Sequence, residues 1–159
     1  MRVVVVLDQI RSAYNVGSFF RTADATGVEK LFLCGITPRP DNKAVAKTAL
    51  GAHLSVPWEW HYDALVPLRA LAARGYQVVA VETGCPSQPL FDFQPRLPVA
   101  VVFGNEVTGL SGEILEACQV RLAIPMLGKK ASLSVATAGG VVLYELLRWS
   151  LAAAQHESI

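Results

Sequence analysis

Short apolar runs alternate along this chain with stretches in which apolar residues recur every three or four positions. Those are the periods of strands and helices. The runs fall at 2–7, 30–34, 76–82, 98–103 and 120–124, with a shorter one near 54–57. They are nearly continuous rather than alternating, as in strands covered on both faces. Strands and helices taking turns in this way predict an α/β fold, a mostly parallel sheet with helices on both faces. No repeat, low-complexity tract or long linker interrupts the pattern, so residues 1–159 are expected to form a single domain.

The first helix is the clearest. Asn15 can cap it, and Val16, Phe19, Phe20, Ala23 and Gly27 fall on one face. Arg21 lies off that stripe, one turn beyond Gly17, so its guanidinium points away from the core. Further helices are expected at 41–50, at 63–74 and at 111–118, the last starting at Ser111. The final one, from Ser132 to Trp149, is apolar nearly all round and carries Gly139 and Gly140 in its first half. Glycine inside a helix costs about 1 kcal/mol relative to alanine. Two in succession predict the close approach of another backbone or a ligand. A helix apolar on every side must be covered on every side, and a subunit interface is the expected cover.

Composition supports that expectation, because 52% apolar against only 17% charged residues is an apolar-rich balance for a small soluble monomer. No apolar run reaches the ~20 residues of a membrane span. The opening Met1–Asp8 reads as a buried strand, not as a signal peptide. Cys34, Cys85 and Cys118 form no close pair, and His53, His61 and His156 are scattered. Neither a disulfide framework nor a metal site is expected, and a reducing cytoplasm is the expected compartment. With a net charge of +1, any nucleic-acid contact must rely on local clusters. Arg39, Lys43 and Lys47 form one and Lys129 and Lys130 another; taken alone, each reads first as solvated surface.

Ligands of open parallel sheets bind beyond the carboxyl ends of the strands. Four loops leave such ends here: Asp8 to Gly17, Glu82-Thr83-Gly84, Gly104 to Leu110, and Ile124 to Ser134. Gly104 and Gly128 would let backbone groups approach a ligand. Thr83 and Ser132 add hydroxyls, and Ile124, Met126 and Leu133 could sandwich a flat ring. That inventory suits adenine. The dinucleotide fingerprint, the P-loop, the G-x-S-x-G elbow and the H-E-x-x-H pair are all absent from the sequence.

Three segments together resemble the motifs of the SpoU/TrmH-type RNA methyltransferases, of the SPOUT class. They are Asn15-x-Gly17-x-x-x-Arg21-Thr22-Ala23, Gly104-x-Glu106-x-x-Gly109-Leu110, and Ile124-Pro125-Met126 followed by Ser132-Leu133-Ser134-Val135-Ala136. Their order and separations match, and the similarity covers nearly the whole chain. The resemblance implies a deep C-terminal trefoil knot, otherwise nearly absent from proteins. It implies S-adenosyl-L-methionine as cofactor, a homodimer, and tRNA or rRNA as the partner methylated on a ribose 2′-hydroxyl. By position, Thr83, Gly104, Ile124, Met126, Ser132 and Leu133 would line the cofactor pocket. Arg21 would be the catalytic arginine, Asn15 and Glu106 would shape the active site, and Arg11, Lys43, Lys47, Lys129 and Lys130 would contact RNA. Ser134 stands where the family usually has asparagine, exchanging an amide for one hydroxyl. No separate RNA-binding domain is read in the chain. An arginine stays protonated at ordinary pH, so Arg21 is suited to holding phosphate or developing oxyanion charge rather than to removing a proton. Two other readings stay open on the residues: an RNA-binding factor with this fold that has lost catalysis, and a small-molecule enzyme with a nucleotide pocket.

Overall fold

The computed structural model describes residues 1–84 and 86–158, so Cys85 lies outside the described residues. The chain runs β1 (Val3–Asp8), α1 (Ala13–Thr26), β2 (Lys30–Cys34), α2 (Lys43–Ala49), α3 (Ala52–Ser55), β3 (Trp58–His61) and α4 (Leu65–Ala73). It continues through β4 (Gln77–Val81), β5 (Gln88–Pro89), β6 (Val99–Phe103), α5 (Gly112–Ala117), β7 (Val120–Ala123) and α6 (Val135–Glu157). The seven strands lie in the order β3-β2-β1-β6-β4-β7-β5. Every pairing between these strands is parallel.

Side-chain alternation along the buried strands divides the interior in two. Val3, Val5 and Leu7 face α1, α2, α3 and α6 together with Leu31, Val101 and Phe103. Val4 and Val6 face α4 and α5 together with Phe32, Val78 and Val102. These strands read as continuous apolar runs because both of their faces are covered.

The expected strand near 54–57 is displaced. Residues 52–55 form α3, and the strand follows at Trp58–His61. As a sheet edge, β3 keeps Trp58, Glu59 and Trp60 exposed, so it lacks the apolar signature of its neighbours. The expected helix at 41–50 starts at Lys43, where the Asn42 side chain accepts from the Ala44 N–H at 2.9 Å. Helix α1 is capped by Ser12, whose hydroxyl accepts from the Asn15 N–H, so Asn15 lies inside the helix. Helix α6 starts at the Ser134 cap and extends to Glu157, past the expected end at Trp149. Among the described residues no helix is long and apolar enough to cross a membrane.

Two glycines mark where helices touch. A Cβ on Gly17 would strike the Thr48 hydroxyl and the α2 backbone at Val45 O and Ala49 N, so α1 and α2 cross at backbone contact. A Cβ on Gly139 would strike the ring of Phe19. The close neighbour expected at Gly139 is therefore an aromatic side chain of the same chain, neither a backbone nor a ligand. That ring in turn packs against Phe103, with centroids 5.1 Å apart and planes at 56°. Gly140 faces open space, and Tyr144 and Leu151 on the same helix are exposed.

Gly17→Ala is expected to destabilise the protein by about 1–3 kcal/mol through overpacking, despite the gain in helix propensity of up to about 1 kcal/mol. Urea unfolding of both proteins checks this. An alanine protein as stable as the parent would refute the backbone-contact crossing.

Candidate active site

The carboxyl ends of β1, β4, β6 and β7 meet at one edge of the sheet, and short polar ties hold their loops together. After β1 the chain turns at Gln9, whose φ of 59° is left-handed and strained for a residue with a Cβ. The Gln9 carbonyl accepts from Asn105 Nδ2 at 2.8 Å, and its side-chain Oε1 accepts from the Ile36 N–H at 3.1 Å. Beyond it, the Thr37 hydroxyl accepts from the Ile10 N–H at 3.0 Å and donates to the Cys34 carbonyl at 2.7 Å.

Glu106 makes the principal tie between the first and second motifs. Its Oε1 accepts from the Arg11 N–H at 2.8 Å, and its Oε2 accepts from the Ser12 N–H at 2.9 Å and from Asn15 Nδ2 at 3.1 Å. A carboxylate placed against the entry of a helix also meets the positive end of the helix dipole. Partial burial works against the charge of Glu106. The N–H groups of Arg11, Ser12 and Glu106 itself, with the Asn15 amide, outweigh it and hold the carboxyl below the usual glutamate range.

The loop after β6 folds back on itself. Asn105 Oδ1 accepts from the Val107 and Thr108 N–H groups at 2.9 Å each, and the Gly109 N–H donates to the Asn105 carbonyl at 2.9 Å. Leu110 packs so closely on Gly104 that a Cβ there would meet its Cδ2 at 2.7 Å. Gly104 thus makes room for the chain's own loop. Glu82, just after β4, accepts from the Leu110 N–H at 2.7 Å through Oε2 and from the Thr83 N–H at 3.0 Å through Oε1.

These loops enclose an open-sided cavity of about 190 Å³. Thr83, Gly104, Ile124, Met126, Ser132 and Leu133 all line it, with Glu82, Asn105 and Glu106 beside them. Residues expected at one pocket from three separate loops thus do share one. Gly128 is not on its wall and lies in an exposed loop with open space around it. The same loop exposes Lys129 and Lys130. Ser134 ends it as the α6 cap, accepting from the Thr137 N–H at 3.3 Å and donating to the Thr137 hydroxyl at 2.8 Å. Serine and asparagine are both good caps, so the exchange at 134 preserves that local function.

Arg21 stands apart. It is exposed on α1 and is not on the cavity wall of its own chain. It makes no ion pair among the described residues, and Asp24 accepts instead from the Ser55 hydroxyl at 3.1 Å. Lys43 and Lys47 are exposed on α2, Arg11 is exposed before α1, and Arg39 stacks over Trp60 at 4.7 Å from the ring centre. Sequence reasoning missed Glu82 and Asn105 as structural ties. Their signal was available: an acid and an amide directly following two central strands, beside glycines.

Glu106→Gln would place an amide N–H against N–H donors. It is expected to cost about 1–2 kcal/mol at neutral pH and to loosen the 104–110 loop. Because the Glu106 pKa is lower folded than unfolded, its contribution is complete above the ordinary glutamate value and fades as pH falls through the folded value. Unfolding of both proteins across an acid series checks this: the stability difference should shrink toward low pH.

The family model described as the SpoU rRNA Methylase family matches residues 2–144 of this chain. A 23S rRNA (guanosine-2′-O-)-methyltransferase of Vibrio parahaemolyticus is 32% identical over 151 residues, covering 95% of this chain and 61% of the relative. The tRNA (guanosine(18)-2′-O)-methyltransferase of Thermus thermophilus is 31% identical, covering 98% of this chain and 79% of that one. An AdoMet-bound rRNA methyltransferase from Sinorhizobium meliloti superimposes with a TM-score of 0.86 at 31% identity, over 92% of this chain and 56% of that one. The chain spans about 55–61% of the length of several curated relatives it matches. Matched from residue 2 to residue 144, through all the loops that wall the cavity, the chain belongs to the SpoU rRNA Methylase family.

Proposed function

We propose that this protein transfers a methyl group from S-adenosylmethionine to a ribose 2′-hydroxyl of tRNA or rRNA. Residues 1–159 act as one catalytic domain that works in the cytoplasm as a homodimer. The observation that carries this reading is the convergence of Thr83, Gly104, Ile124, Met126, Ser132 and Leu133 on a single cavity at the carboxyl edge of a parallel sheet. The relatives named as 2′-O-methyltransferases and the AdoMet-bound neighbour support it. A trefoil knot formed by the 104–110 and 124–134 loops belongs to the same proposal. The match to the SpoU rRNA Methylase family supports it.

The cavity fits the cofactor by its chemistry. Ile124, Met126 and Leu133 offer apolar surface for the faces of adenine, and Thr83 and Ser132 offer hydroxyls at the rim. When bound, S-adenosylmethionine supplies an electrophilic methyl group on a sulfonium. Glu106 has its carboxylate committed to three donors and acts as a strut rather than as a proton acceptor. Arg21 of one copy serves the cavity of the other, holding RNA phosphate and offsetting charge on the attacking oxygen. The open, glycine-bearing side of α6 around Gly140 and Tyr144 is the surface the second copy covers. Lys129 and Lys130 border the cavity loop, where RNA phosphates would pass.

Saturating S-adenosylmethionine is expected to raise the thermal midpoint, because a ligand of the native state stabilises it. No shift and no calorimetric heat at millimolar ligand would sink the cofactor assignment. Arg21→Ala should lower methyl transfer to total RNA by roughly a hundredfold or more while cofactor affinity holds. Single-turnover assays with labelled methyl measure this, and unchanged turnover would remove Arg21 from catalysis. Wild type and Ser134→Asn both inert on every RNA would favour the RNA-binding factor. Gly140→Leu should convert the dimer to monomer in sedimentation by steric clash.

A further inference from the structure

Behind the 104–110 loop, on the α4/α5 side of the sheet, lies a second and larger cavity of about 600 Å³. The two cavities share Gly109. At its floor is Asp8, the last residue of β1, which has the parity of Val4 and Val6. Asp8 is 9% exposed, and its carboxylate has no hydrogen-bond partner among the described residues. An ionisable group this buried normally has a partner. Burial first and the neighbouring Asp63 second push its pKa up to about 6. The same surroundings, burial foremost and then Asp8 and Asp63, push the Cys34 thiol up to about 12.

Two aromatic side chains border the same cavity. Trp60 and Tyr62 line it and are 36% and 83% exposed. The Trp60 indole is fixed in place, its Nε1 donating to the Gly35 carbonyl at 3.0 Å. Arg39 stacks on that ring and lines a third hollow of about 440 Å³, which joins the second through Gly35, Ile36 and Trp60. Glu113 also borders the second cavity. Among the described residues no three acids, histidines or cysteines are grouped to hold a metal ion. A guanidinium or ammonium ligand would meet Arg39 already on the aromatic face. An uncharged base would stack on the face of the ring opposite Arg39, with its phosphate reaching Arg39.

We infer that this second cavity is a nucleobase pocket, in which an unpaired guanine stacks at Trp60 and donates its N1–H and 2-amino N–H to the Asp8 carboxylate. Of the four bases only guanine presents two adjacent N–H donors on its pairing edge, matching two carboxylate oxygens without an acceptor-to-acceptor clash. Adenine, cytosine and uracil each set an acceptor beside the donor. The pocket deepens the RNA reading above and rests on it. It gives the enzyme a sequence preference that the cofactor cavity does not supply.

The test uses the full chain with S-adenosylhomocysteine present and labelled ten-nucleotide uridine-rich RNAs carrying one central guanosine, inosine or adenosine. Polarisation is expected to show the guanosine RNA bound at least tenfold more tightly than the other two, inosine lacking the 2-amino group. Asp8→Asn should abolish that preference with the thermal midpoint held or raised, since it removes a buried charge. Trp60→Leu should weaken all three RNAs together. Wild-type binding indifferent to the central base would overturn the pocket, whatever the variants do. So would a preference that survives in Asp8→Asn, or competition by free arginine but not by guanosine monophosphate. Base-indifferent binding with intact methyl transfer removes the pocket alone. A guanosine preference without methyl transfer removes the catalytic reading alone.

Discussion

The carboxylate of Glu106 is the contact through which this site is assembled. Two strands that are neighbours in the sheet, β1 and β6, send their loops in different directions, one into α1 and one back over its own glycine. Glu106 joins them by accepting two backbone N–H groups and one amide. Backbone donors at a helix entry have no partner within the helix, and here a residue 94 positions away along the chain satisfies the one at Ser12. Remove that acceptor, and both the wall of the cavity and the start of the helix that carries Arg21 lose their common reference.

Glu82 and Asn105 extend the same logic. Each uses a side chain to pin backbone in the 104–110 loop, Glu82 at Leu110 and Asn105 at Val107 and Thr108. The loop is consequently a thin, firmly held partition with a cavity on either side of the sheet and Gly109 common to both. One cavity sets apolar surface and hydroxyls beside Glu82 and Glu106; the other sets Asp8, Asp63 and Glu113 beside Trp60 and Tyr62. Strand parity sends Leu7 and Phe103 to one face and Asp8 and Cys34 to the other.

Much of this was legible in the chain. The central strands showed as apolar runs because burial on both faces demands it, and the loops after β4, β6 and β7 held the residues that now line one cavity. What escaped reading was governed by contacts distant in sequence. Edge strand β3 carries glutamate between two tryptophans and has no apolar signature. Asn15 has cap chemistry, but Ser12 precedes it by three residues and takes the cap, leaving the asparagine amide for Glu106. Gly139 looked like a place for a foreign backbone, yet its neighbour is Phe19, more than a hundred positions upstream. No local pattern reveals which partner fills a space.

That last contact constrains more than packing. Phe19, Phe103 and Gly139 belong to α1, β6 and α6, and the two rings and the bare backbone at 139 share one compact space beneath the cavity. The three positions cannot drift independently: a bulkier residue at 139 requires a smaller one at 19, and a smaller one at 19 leaves the ring at 103 unsupported. Divergent copies of this protein should therefore conserve the summed volume of the three sites rather than the identity of any one. An evolutionary path that exchanges them must pass through paired substitutions.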